Sequence, residues 1–141
     1  RDFHIRAIPT FHDQAEGAER GRNLVFRIEG DGLVVVHAGD LGHIPDPDFI
    51  RELGKVDVLL LPVGGLYTID SHEATMIMEA LRPSITIPMH YKTEKCAFPI
   101  APVEEFTRGK KNVRLPGSSE VDITKQTLPE EMTIVVLNHG R

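Results

Sequence analysis

Three polar residues stand where buried segments run out, and their types suit metal chemistry. His12 stands a few residues beyond the alternating stretch 3–8 and Pro9. Asp40 closes the run Leu33-Val34-Val35-Val36-His37-Ala38-Gly39-Asp40, and His90 follows the apolar stretch Ser84–Pro88 and Met89. Two imidazoles supply neutral nitrogen and one carboxylate supplies a hard anionic oxygen able to bridge two ions, a set suited to Zn²⁺, Mn²⁺ or Fe²⁺. Three protein ligands leave a position for water, whose pKa the ion lowers until hydroxide forms at neutral pH. The wide spacings match no local metal motif. As residue types alone, His12 and His90 are equally at home as ordinary loop or half-buried histidines.

Around these three lie candidates of a second kind. His37 and His43 flank Asp40 and are the catalytic candidates. His37 could orient Asp40 or a bound group, and His43 could reach substrate or donate a proton; each is also readable as a satisfied, half-buried histidine. Asp13 could orient His12 but reads by default as an exposed loop carboxylate. Arg20 and Arg22 could pair with an anionic substrate group or simply be solvated. Asn23 reads as a brace for loop backbone. Tyr67 and Tyr91 could offer a hydroxyl to a developing oxyanion or pack with that hydroxyl satisfied. His72 and His139 read as surface residues, and Cys96 as structural.

These residues need elements to hold them. Residues 3–8 alternate as a strand that Pro9 should end, and 10–23 read as a long polar loop. Leu24–Glu29 and Leu33–Ala38 are strand candidates joined at Gly30-Asp31-Gly32, a hairpin signal. Pro45-Asp46-Pro47-Asp48 opens a short helix to about Leu53. Val56–Val63 is nearly continuous in apolar residues and breaks at Gly64-Gly65. Asp70-Ser71-His72-Glu73 reads as a capping box before a helix with Ala74, Ile77, Met78 and Leu81 on one face. Pro83 stops that helix, and Ser84–Pro88 is a further strand. Pro102–Arg108 is a short helix, and Val113–Leu115, Val121–Ile123 and Thr133–Leu137 are closing strands. The pattern is α/β, with no internal repeat and no linker.

Composition narrows the function classes. With 141 residues, 40% hydrophobic and 26% charged, the chain can bury one ordinary core. A formal net charge of −5 speaks against a nucleic-acid surface. The single cysteine permits no intrachain disulfide and fits a reducing, cytoplasmic setting. No apolar run reaches bilayer length, so no membrane partner is expected. The chain starts at Arg1 without a Met and enters strand-like alternation at once, which gives the expectation that a segment precedes it.

Four blocks in order carry a family resemblance. They are Phe11-His12-Asp13 with Arg20-Gly21-Arg22-Asn23, His37-Ala38-Gly39-Asp40-Leu41-Gly42, the Leu61–Asp70 stretch, and Ile87-Pro88-Met89-His90-Tyr91. Together they resemble the metallo-β-lactamase fold superfamily, closest to the branch of Zn-dependent hydrolases with the ascorbate-6-phosphate lactonase-like proteins. The resemblance implies that His12 binds metal, that Asp40 bridges two metals and that His90 binds the second. It implies a dinuclear site, a small-molecule substrate, and attack by metal-activated water on a carbonyl or phosphoryl centre. The family's His-x-His-x-Asp-His motif has no counterpart here; His4 stands alone before His12. The resemblance therefore covers the second half of a four-layer αββα sandwich, a mixed sheet with helices on one face. A sheet built to pack on another would leave a broad apolar face. The expectation is a fragment that pairs with its missing half or forms a homo-oligomer, a domain-swapped or symmetric dimer, with weakened metal binding and no activity on its own. The competing expectation is a non-catalytic domain or assembly module with relic ligands.

Overall fold

The structure, a computed structural model, describes residues 2–140. Seven strands form a single mixed sheet: β1 His4–Phe11, β2 Arg22–Gly30, β3 Leu33–His37, β4 Val58–Pro62, β5 Ile85–Met89, β6 Val113–Arg114 and β7 Thr133–Val135. Their spatial order is β1-β2-β3-β4-β5-β7-β6. β1, β2 and β3 pair antiparallel, and the remainder pair parallel. The β2–β3 turn is Asp31-Gly32, both at positive φ (51° and 76°), so the two-residue hairpin turn has the twist that matches its strands.

Helices α1 Pro47–Leu53, α2 Ser71–Leu81 and α3 Val103–Thr107 all pack on one face. Asp46 caps α1 by accepting from the Phe49 amide. In α2 the Asp70–Glu73 capping box closes in both directions, and Ala74, Ile77, Met78 and Leu81 are its buried residues. Their partners are the alternate residues of the strands, Val25, Val36, Leu59 and Leu61 among them, with Phe106 of α3 fully enclosed. On the opposite face Val58, Ile85, Ile87 and Val135 form a smaller cluster, covered by Ile123 and Leu128 from the C-terminal segment.

Two expectations about elements need correction. Pro9 does not end β1, which runs on to Phe11 with Pro9 opposite Leu24. β1 is an edge strand, so a residue without an N–H costs no ladder bond on its free side. Val121–Ile123 forms no strand; Ile123 lies across the sheet and packs on it instead.

Direction is what this architecture gives to a site. β1, β3, β4 and β5 all point the same way, because β1 is antiparallel to β2 and β2 to β3. Their C-terminal ends therefore deliver His12, Asp40, Gly64-Gly65 and His90 to one edge of the sheet, where open α/β sheets hold their ligands.

Candidate metal centre

The loops at this edge are stitched to each other by backbone. The Gly42 amide donates to the Phe11 carbonyl (3.0 Å), and the Ile69 amide to the Leu41 carbonyl (2.9 Å). A Cβ on Gly42 would stand 2.1 Å from the His12 carbonyl carbon, so only glycine lets the loop after β3 lie against His12. Gly64 plays the same part against His90, whose carbonyl oxygen would be 2.2 Å from an added Cβ. His90 itself sits at φ 52°, in the left-handed region that a histidine enters at a cost.

Both histidines keep an unmet polar atom. His12 Nε2 and His90 Nδ1 are buried and make no hydrogen bond. A buried polar atom without a partner costs roughly 1–3 kcal/mol. Asp40 is exposed, and its amide donates to Asn23 Oδ1 at 3.0 Å. Asn23 Nδ2 in turn donates to Thr10 Oγ1 and to the Ala38 carbonyl, both at 2.9 Å. One side chain on β2 thus fixes the loop that carries Asp40, the brace expected of Asn23.

Asp13 departs from its default reading. It is 2% exposed, and its carboxylate accepts four backbone amides: Ala15 and Gly17 on Oδ1 (2.8 Å each), Glu19 (3.0 Å) and Arg20 (2.7 Å) on Oδ2. These bonds, the Arg20 amide foremost, hold its pKa down to about 2 against the burial that opposes them.

The flanking histidines are held by backbone. His37 Nδ1 accepts from the Gly39 amide (3.1 Å), tying the strand end to the turn before Asp40. His43 Nε2 accepts from the Phe11 amide (3.2 Å) while Nδ1 faces the Ile44 carbonyl (3.2 Å), so both ring nitrogens are engaged. In that neutral tautomer the ring joins β1 to the Asp40 loop, and it packs beside Phe11 at 5.8 Å between centroids. Tyr91 donates its hydroxyl to the Leu137 carbonyl (3.1 Å), and burial, with Glu104 adding, pushes its phenol above the ordinary tyrosine value. Tyr67 faces a cavity of about 450 Å³ that also has His12, Arg20, Gln14 and Glu73 in its wall. The Arg20 guanidinium lies 5.5 Å from the Tyr67 ring centroid, and Phe98 meets that ring edge-on. His139 pairs with Glu94 (3.0 Å).

Among the described residues no group of three or more His, Cys, Asp or Glu side chains stands ready to enclose an ion. The two orphaned imidazole nitrogens nevertheless have the chemistry of metal donors. The residues present fit a metal as part of a centre.

The comparisons agree with this architecture. Residues 1–90 match the family described as Beta-lactamase superfamily domain, and the chain belongs to that superfamily. It is 33% identical over 116 residues to a UPF0173 metal-dependent hydrolase of Natranaerobius thermophilus, covering 82% of this chain and 49% of that one. A UPF0173 metal-dependent hydrolase of Pyrobaculum calidifontis is 37% identical over 122 residues, covering 80% and 51%. A crystal structure from Thermotoga maritima, assigned to the Zn-dependent hydrolases of the metallo-beta-lactamase superfamily, superposes with a TM-score of 0.83 at 37% identity. That match covers 96% of this chain and 64% of the other. The chain spans about half the length of the curated relatives it matches.

Proposed function

We propose that this chain carries one part of the metal centre of a hydrolase, with His12, Asp40 and His90 as its ligands to Zn²⁺, Mn²⁺ or Fe²⁺. The observation that carries the reading is the pair of buried, unpartnered nitrogens, His12 Nε2 and His90 Nδ1, at the edge that also presents Asp40. A divalent pair bound there supplies Lewis acidity and a water activated for attack on an ester, lactone or phosphoester. The chain's own residues hold and orient. Asn23 and His37 fix the Asp40 loop through its backbone, and His43 ties that loop to the end of β1. Tyr67 and Arg20 border the cavity beside His12, where a small substrate would lie.

Relatives named metal-dependent hydrolases support the reaction class, and their greater length supports ligands contributed by chain outside these 141 residues. The partner expected is that remaining part or a second copy of this chain, in a cytoplasmic setting with neither nucleic acid nor membrane. A second reading, a non-catalytic module with relic ligands, has one sequence feature in its favour: these 141 residues hold no His-x-His-x-Asp-His motif.

Metal content per chain, on protein purified without chelator, tests the proposal. One or more equivalents of Zn, Mn or Fe, lost in His12→Ala and in Asp40→Ala, is the expected result. No uptake even with excess Zn²⁺ would overturn the reading of these three residues as a centre that binds metal unaided, and would make ligands from outside these 141 residues indispensable.

A further inference from the structure

His12 is held in place by a device that its own sequence neighbours build. The polar segment after β1 folds into a closed ring. The His12 amide donates to the Gly21 carbonyl (3.0 Å), the Gly21 amide to the Gly17 carbonyl (3.0 Å), and the Ala18 amide to the Ala15 carbonyl (3.0 Å). At the centre of the ring lies the Asp13 carboxylate with its four amide donors, an arrangement in which an anion organises successive N–H groups of a loop. Glu16 and Gly17 at positive φ (52° and 86°) turn the chain so that the amides converge. On its other side the His12 backbone is pressed by Gly42. His12 is thus gripped from two directions, and its Nε2 is buried with no partner of its own.

We infer that Asp13 is a positioning residue for His12: its carboxylate, by closing the 13–20 loop, sets where the His12 imidazole presents Nε2. This rests on the reading of His12 as a metal ligand. The carboxylate has no other task, since four amides saturate its two oxygens. Its effect on a metal passes only through the backbone of the adjoining residue. A carboxylate that merely capped a distant turn would not need to follow the ligand directly in the chain.

The test compares Asp13→Asn, which keeps the size and inserts an amide group against two of the N–H donors, with Asp13→Glu, which keeps the charge. Zn²⁺ affinity is measured on the full chain by equilibrium dialysis, alone and combined with His12→Ala. Asp13→Asn should weaken Zn²⁺ binding about 10–100-fold, the usual effect of losing a group that orients a ligand. In the His12→Ala background the same change should alter affinity less than about threefold. Asp13→Glu should restore part of the loss. An equal loss in both backgrounds would overturn the inference, because Asp13 would then act on the fold and not through His12. Should His12→Ala itself leave Zn²⁺ affinity unchanged, the ligand reading fails instead. A metal-free readout keeps the inference testable in that case. Long-range ¹H–¹⁵N spectra should show the single His12 ring environment of the parent chain become averaged in Asp13→Asn. An unchanged His12 signal would overturn it.

Discussion

Asn23 brings three pieces of chain together through one carboxamide: Thr10 of β1, the Ala38 carbonyl at the end of β3, and the Asp40 amide. Its two ends are chemically distinct, with Nδ2 giving to two acceptors and Oδ1 taking from one donor. Asn23→Asp keeps the shape and sets an anion against two oxygens. The expected loss is about 1–3 kcal/mol of stability, the cost of unpairing buried polar groups, together with weaker metal uptake as the Asp40 loop loosens. Denaturant midpoints and dialysis read the two effects separately; no change in either would show that the brace is dispensable. Gly42 makes a sharper case. An added Cβ would meet His12 and Asp13 backbone atoms at 2.1–2.4 Å, and backbone has no flexible end that could yield. Gly42→Ala should destabilise by at least about 1–3 kcal/mol, the range for overpacking. Gly140→Ala, with nothing within 4 Å, should leave the midpoint in place and serves as the control.

At the scale of elements, the legible parts are those whose signal is local. The Asp31-Gly32 turn, the Asp70–Glu73 box and the apolar runs of β4 and β5 each state their structure within a few residues, and each forms as read. β1 was legible in position but not in length, because a proline rules out a central strand and not an edge one. The ring around Asp13 has no periodicity to announce it. Its only traces are glycines at 17 and 21, able to take positive φ, and an acid placed before them. The candidate ligands were named by resemblance; spacing could not have done it, since parallel strands bring together residues far apart in the chain.

The end of α3 carries a charge effect that is testable in the same terms. Lys110 Nζ donates to the Phe106 carbonyl and lies 4.6 Å from the Phe106 ring centroid, and burial lowers its pKa although Glu79 acts the other way. With the folded pKa below the unfolded 10.5, the unfolded chain binds more protons between the two values. Stability contributed at this site therefore rises as pH climbs through that window. Lys110→Met should remove this rise. The difference between the two proteins' denaturant midpoints, followed from neutral pH to beyond the ordinary lysine value, measures it, and a pH-independent difference would contradict the assignment.

On the scale of the whole molecule the two faces of the sheet are unlike. One is sealed by three helices. The other is covered over β4, β5 and β7 by Ile123, Leu128 and Leu137, while the β1–β2 end leaves Ile5, Leu24 and Phe26 at 61, 45 and 37% exposure. Register places these three on one surface: Ile5 opposite Ile28, Leu24 opposite Pro9, and Phe26 opposite Ala7 and His37. Apolar side chains gathered on a twisted sheet beside an edge strand invite association. The chain should therefore self-associate, with a sedimentation coefficient that rises with concentration. Leu24→Lys with Phe26→Lys should shift it towards monomer. Because both side chains are already exposed, this pair should change monomer stability by no more than about 0.5 kcal/mol. The same pair placed in a longer chain that covers this face would instead lower stability by burying two charges, at several kcal/mol for an unpaired ion. A 141-residue chain that stays monomeric at high concentration, and is indifferent to both substitutions, would show that the face needs no cover. Association relieved by the lysines, with stability lost only in the longer chain, would mean that this surface is an internal interface and that the metal edge above it is completed from the other side.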